Sequence, residues 1–160
     1  MASDTIRIVP GDLADPRIID LLNLHVSSAL AESPRKSCHA FDVSGLQRPE
    51  ISFWAIWDGD VLLGVGALME LGEGHGEVKS MHTARAARGR GTGTAMIRHI
   101  IETARARGLW RLSLETGSMD YFAAARSLYA RHGFVECAPF GSYVVDPNSV
   151  FMTLDLADSG

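Results

Sequence analysis

The residues Arg88, Gly89, Arg90, Gly91, Thr92, Gly93 and Thr94 form one glycine-rich stretch, RGRGTGT. They combine guanidinium charge, hydroxyl donors and a backbone largely free of side chains. Directly after them, Met96, Ile97, Ile100, Ile101 and Ala104 recur on one helical face. The turn therefore delivers a helix N-terminus. The first N–H groups of a helix lack internal partners and carry partial positive charge, which is a geometry that binds phosphate. Glycine lets the chain approach such a ligand closely and adopt positive φ. The alternative is a tight turn that merely needs glycine. A nucleotide P-loop is excluded, since no lysine lies in the turn or the helix after it. A dinucleotide fingerprint fails too, because Thr94 follows Gly89-x-Gly91 where glycine or alanine is required.

Charge supports an anionic ligand at this place. From Lys79 to Arg111 there are eight basic residues and one acid, Glu102, in a chain of net charge −4. A local positive field on an acidic protein suits one docked polyanion, although an arginine-rich solvated helix face reads the same way. The acidic remainder argues against a nucleic-acid partner.

The elements that must hold this turn follow from periodicity. Thr5–Val9 alternates as a short strand, and Asp15-Pro16 opens a helix with Ile18, Ile19, Leu22, Val26 and Leu30 along one stripe. Ala31–Glu50 is an irregular connection with one short helical turn near Val43–Leu46. Two apolar strands flank Asp58-Gly59 as a hairpin. Glu77–Thr83 runs as a strand into the glycine turn and its helix. Trp110–Thr116 is the next strand, Asp120–His132 a helix stopped at Gly133, and FVEC and VFMTLDL two last strands. Antiparallel hairpins beside two β-α-β crossovers predict an α/β fold with a mixed sheet and helices packed on it.

The 160 residues fit one domain spanning residues 1–160. No apolar run is long enough to span a bilayer, and the first residues do not read as a signal peptide. Two cysteines, Cys38 and Cys137, make no disulfide framework, so a reducing cytoplasm is expected. Six histidines without an H-x-x-x-H pair leave no expected metal site.

Arg88–Gly93 matches the [QR]-x-x-G-x-[GA] motif of the GCN5-related N-acetyltransferase (GNAT) superfamily. LYARHGF, Leu128–Phe134, resembles its second hallmark, a tyrosine shortly before Gly-Phe. The strand–turn–helix setting and the element order resemble that fold over nearly the whole chain, least from Ala31 to Glu50. The closing part resembles a bacterial subgroup of acetyltransferases. The resemblance implies a mostly antiparallel mixed sheet, splayed between its fourth and fifth strands. Acetyl-CoA would be the co-substrate, its pyrophosphate at the motif and its pantetheine arm along the backbone of Met81, His82 and Thr83.

The implied activity is transfer of acetyl from acetyl-CoA to a primary amine of a small molecule or peptide by direct attack in a ternary complex. A non-catalytic acyl-CoA sensor is the alternative. Tyr129 matches the tyrosine that protonates the departing thiolate, although Phe122, Ala125 and Tyr129 share a helix face and could be core. Glu77, eleven residues before Arg88, matches a strand glutamate that serves as base. His82 or a water relay are the other candidates. Where many members carry an asparagine that touches pantetheine, this chain has Phe122. The acceptor wall would come from His25–Leu46 and Phe140–Ser149, with His39, Phe41, Phe140 and Tyr143 as lining candidates. Dimerisation is common in the superfamily, so the resemblance leaves a homodimer open.

Overall fold

The structure, a computed structural model, describes residues 5–32 and 43–156. Ten helices and strands run along the described residues. They are β1 (Ile6–Pro10), α1 (Pro16–Glu32), β2 (Ile51–Asp58), β3 (Val61–Gly72), β4 (His75–Thr83), α2 (Thr92–Ala106), β5 (Arg111–Gly117), α3 (Ala123–Arg131), β6 (Val135–Cys137) and β7 (Ser149–Asp155). Among the described residues, short 3-10 turns at Gly45–Gln47, Arg85–Ala87 and Asp120–Phe122 lead into the elements after them. The acceptor-wall candidates His39 and Phe41 lie outside the described residues.

Local chemistry explains the boundaries. The Asp15 carboxylate accepts the N–H of Arg17 at 2.9 Å, and its carbonyl accepts the N–H of Ile19, so Asp15 caps α1 as the sequence predicts. The buried face of α1 is Ile18, Leu21 and Leu22, while Leu30 is exposed. The predicted stripe therefore holds only in the first turns, where α1 meets Phe53, Ala55, Val65 and Ala67. The whole predicted face of α2 is buried: Met96, Ile97, Ile100, Ile101 and Ala104. Each large side chain of that set contributes about 1.5–3 kcal/mol by leaving water.

The seven strands order as β1-β2-β3-β4-β5-β7-β6. All neighbours are antiparallel except β4 and β5. The parallel pair is joined through α2, and β5 returns through α3 to β6 with β7 inserted between them. The β4–β5 ladder is short: His75–Arg111, Gly76–Leu112 and Glu77–Ser113 pair, and then the strands part. This is the expected splay, and it leaves a slot lined by Val78–Thr83 on one side and Leu114–Gly117 on the other.

Two apolar clusters fill the two faces of the sheet. Ile56, Leu68, Val78, Leu112 and Leu114 pack against α2 on one face, and Val65, Ala67 and Trp57 pack against α1 on the other. Strand alternation then sends Glu77, Lys79, Ser113 and Glu115 to the α1 face. The start of α2 lies close on the sheet because β3 carries glycine beneath it. A Cβ on Gly66 would stand 2.6 Å from Met96 Cγ, and one on Gly64 would stand 2.8 Å from the carbonyl oxygen of His82.

Candidate functional site

The slot between β4 and β5 opens into a cavity of about 560 Å³, within the usual size range for small-molecule sites. Met81, His82 and Thr83 line it from β4. Arg88, Gly89, Gly91, Thr92, Gly93 and Thr94 line it from the turn and α2, Tyr129 lines it from α3, and Glu77 from the point where the strands part. The chain thus brings together all the sequence-derived site residues except Arg90. That side chain forms an ion pair with Asp58 at 3.0 Å, away from the cavity.

The turn has a geometry that suits an anion. Gly91, the residue before α2, has φ +79° and offers no side-chain cap to the helix. Gly89 has the same φ, and a Cβ on either glycine would meet nothing within 4 Å. The glycines therefore answer a backbone requirement rather than a packing one. The first-turn residues Thr92, Gly93 and Thr94 all border the cavity, so N–H groups that lack helical partners stand beside it. Arg88 adds charge there. These donors fit a pyrophosphate.

Strand β4 is bent where it borders the slot. Val65 pairs with His82 and Ala67 with Lys79, so two residues, Ser80 and Met81, oppose the single Gly66. Ser80 takes φ +57°, a left-handed conformation that is uncommon for serine. Such a bulge turns the strand away from its neighbour. Beyond Glu77, β4 has no strand partner on its β5 side among the described residues. An extended arm laid in the slot would meet a strand edge, as an added strand does.

Tyr129 is 6% exposed and packs edge-on against Phe134. Burial raises its hydroxyl pKa well above the usual phenol range, with no side-chain hydrogen bond contributing. The group therefore stays protonated at neutral pH. Phe122, where many GNAT members have asparagine, lies over Gly117, whose Cβ would stand 2.1 Å from the ring.

Glu77 is 3% exposed. Its Oε2 accepts the Tyr143 hydroxyl at 2.6 Å and the Lys79 ammonium at 3.2 Å, and Lys79 also donates to the Tyr143 oxygen at 3.2 Å. Tyr143 is itself anchored by Phe140 and Phe151, with ring centroids 5.1 and 5.4 Å away. Burial, together with the Glu77 carboxylate, pushes the Tyr143 hydroxyl up. Of the two residues expected to line the acceptor wall, Tyr143 thus bonds to Glu77, and Phe140 packs against the Tyr143 ring.

His82 meets His25 of α1, with Nδ1 atoms 3.0 Å apart. Burial lowers both rings to about 4, His25 further disfavoured by His82 and His82 by Arg88. Both are neutral at neutral pH, one donating to the other, and both are weak proton acceptors.

Sequence reasoning passed over Glu115. It lies on β5 at the cavity, and burial pushes its carboxyl up to about 7. Its position in the alternating strand Trp110–Thr116 was visible in the sequence, but its desolvation depends on β4, β7 and the loop between β6 and β7. Among the described residues no cluster of three or more His, Cys, Asp or Glu could hold a metal ion. No helix among them is long and apolar enough to cross a membrane.

Comparison with known proteins agrees with the fold. The model of the acetyltransferase (GNAT) family matches residues 18–134. The chain is 45% identical over 148 residues to the uncharacterized N-acetyltransferase YedL of Escherichia coli, covering 92% of this chain and 93% of that one. It is 49% identical over 145 residues to the uncharacterized N-acetyltransferase YsnE of Bacillus subtilis, covering 91% and 96%. In fold it resembles the crystal structure of a Bacillus subtilis acetyltransferase in complex with CoA, with TM-score 0.70, 22% identity and coverage of 94% and 98%.

Proposed function

The chain belongs to the acetyltransferase (GNAT) family, and from that premise we propose that it moves an acetyl group from acetyl-CoA to a primary amine of a small molecule or peptide, by direct attack in a ternary complex. It is an acyltransferase; the acetyl donor, the amine acceptor and the order of events are the proposal. The observation that carries it is the uncapped start of α2, with Gly89 and Gly91 at φ +79°, opening on the slot between β4 and β5. The structural neighbour solved with CoA supports the same donor.

In this reading the first-turn amides of α2 and Arg88 hold the pyrophosphate. The β4 edge from Met81 to Thr83 holds the pantetheine arm by backbone hydrogen bonds. Tyr129 gives its proton to the departing sulfur, which is moderately basic as a free thiolate. The acceptor enters from the α1 face, where Glu77 and Glu115 stand. Acetyl-CoA supplies the activated acyl carbon; the chain positions it and moves protons around it.

The test is the thermal unfolding midpoint with acetyl-CoA, NADH and ATP, followed by release of free CoA thiol with a panel of primary amines. A ligand that binds only the folded chain stabilises it by about 2.7 kcal/mol at a hundredfold excess over its dissociation constant. A shift with acetyl-CoA alone, and thiol release that depends on an amine, are expected. No shift with acetyl-CoA would remove the donor assignment. A shift with no amine-dependent thiol release would favour an acyl-CoA sensor.

A further inference from the structure

Two carboxylates stand on the α1 face near the cavity, and their surroundings differ. Glu77 is enclosed. Its Oε2 carries both the Tyr143 hydroxyl and the Lys79 ammonium, and those two donors also bond to each other. Glu115 is two residues past the last β4–β5 pair, where the strands have parted. It is half-buried and borders the cavity. Its one side-chain hydrogen bond among the described residues comes from Ser149 Oγ to Oε2 at 2.9 Å, which leaves Oε1 without a donor.

We propose that Glu115 takes the proton from the acceptor amine, and that Glu77 is a positioning residue that holds Tyr143 and Lys79 in place. The inference rests on the acetyl-transfer reading above and adds the identity of its base. A base must be reachable by its substrate: Glu77 is 3% exposed and ion-paired with Lys79, whereas Glu115 is half-buried at the cavity with one side-chain hydrogen bond among the described residues.

The groups facing Glu115 come from three directions. Glu77 and Lys79 face it from β4, Tyr143 and Asp146 from the loop before β7, and Ser149 from the start of β7. Burial raises the Glu115 carboxyl, to about 7; the Ser149 hydrogen bond and Lys79 pull it down, and Glu77 and Asp146 push it up. A group so placed gains and loses a proton at neutral pH, as a general base must.

The proton and electron balance closes. The acceptor arrives as an ammonium and gives one proton to the Glu115 carboxylate. The freed nitrogen lone pair forms a bond to the acyl carbon, and the carbon–sulfur bond breaks with its electron pair on sulfur. Tyr129 gives sulfur a proton and regains one from the nitrogen, which becomes an amide. Glu115 returns its proton to water. One ammonium and one thioester give one amide, one thiol and one proton.

The test compares Glu115→Gln, Glu115→Asp and Glu77→Gln with the wild-type chain, using n-butylamine, spermidine and hydroxylamine as probe acceptors at saturating acetyl-CoA. Glu115→Gln should bind acetyl-CoA with wild-type affinity. Its kcat/KM for n-butylamine or spermidine should fall about a hundredfold or more, and the rise of rate with pH through neutrality should vanish. Hydroxylamine is largely unprotonated at neutral pH, so its transfer should fall much less. Glu115→Asp should keep the pH limb at a lower kcat, and Glu77→Gln should keep it with a raised KM. Wild-type kcat/KM and pH limb in Glu115→Gln, or loss of the limb in Glu77→Gln alone, would overturn the assignment. A second readout needs no acceptor: in 13C-glutamate-labelled protein, the resonance that disappears in Glu115→Gln should titrate near neutrality. A midpoint in the ordinary glutamate range, about 4.3, overturns the assignment as well. A wild-type chain that does not bind acetyl-CoA contradicts the acetyl-transfer reading; the Glu115 assignment fails only through its variants and its resonance.

Discussion

Tyr129 is almost wholly buried, yet its hydroxyl makes no side-chain hydrogen bond among the described residues, and the residue borders the cavity. A core tyrosine ordinarily gives its hydroxyl a partner. Tyr129→Phe removes one oxygen from a ring that packs on Phe134, so little intramolecular bonding is lost with it. The expected result is a melting temperature near wild type, unchanged acetyl-CoA affinity and turnover lower by about 10²–10⁴-fold. Unfolding curves, calorimetry and thiol release read the three quantities separately, and full turnover in the variant would reduce Tyr129 to packing. The two arginines of the turn divide in the same way. Arg88 borders the cavity, and Arg90 pairs with Asp58 where both side chains are partly exposed. Arg88→Glu should weaken acetyl-CoA binding at least tenfold, because it places a negative charge beside the pyrophosphate. Arg90→Ala should keep the affinity and leave the melting temperature near wild type, as exposed ion pairs contribute little. Titration of both variants with acetyl-CoA decides it, and equal loss in the two would return Arg90 to the phosphate site.

At the scale of elements, β3 and α2 act as one unit. The helix start reaches the cavity because Gly66 lets Met96 lie against the strand. Gly66→Val forces Met96 and Met81 aside, and overpacking of this kind costs about 1–3 kcal/mol. It should also lift the first turn of α2 and weaken acetyl-CoA binding. Adding Met96→Ala should recover part of both losses, which urea unfolding and ligand titration can read; no recovery would mean the strain lies elsewhere. Much of this unit was legible in the sequence. The glycine turn, the apolar face Met96–Ala104 and the Asp15 cap rest on contacts within a few residues, so local patterns report them. The splay was read from the GNAT resemblance, not from the strands' own pattern. Glu115 and the Glu77–Lys79–Tyr143 group were not legible in their roles. Tyr143 meets Glu77 across 66 residues of chain, and the state of Glu115 depends on burial by three separate segments. Arg90 misled because a motif position specifies a residue type and not the direction of a long side chain.

Over the whole molecule, the sheet consists of two halves, β1–β4 and β5–β7, joined by three ladder pairs and by the cluster under α2. Titratable groups collect along this seam, and their effects on stability oppose each other. His25 and His82 are lowered to about 4, mainly by burial, from an ordinary 6.5. The fold therefore prefers their neutral forms. The stability they contribute is present above pH 6.5 and is lost as pH falls through about 4. Glu115 is raised to about 7 from 4.5, so its contribution is present below pH 4.5 and is lost as pH rises through 7. Between pH 4.5 and 6.5 two imidazoles act against one carboxyl. The wild-type melting temperature should rise with pH across that window, and less steeply than the histidines alone would make it. Glu115→Gln should remove the opposing contribution, steepening the rise and lifting the melting temperature at pH 8 above wild type. His25→Gln breaks the ring pair and should flatten the rise. Melting curves from pH 4 to 8 on the three proteins give the comparison. A Glu115→Gln curve parallel to wild type would mean that this carboxyl is ionised as an ordinary surface glutamate, and the proposed base would lose the desolvated setting on which its chemistry depends.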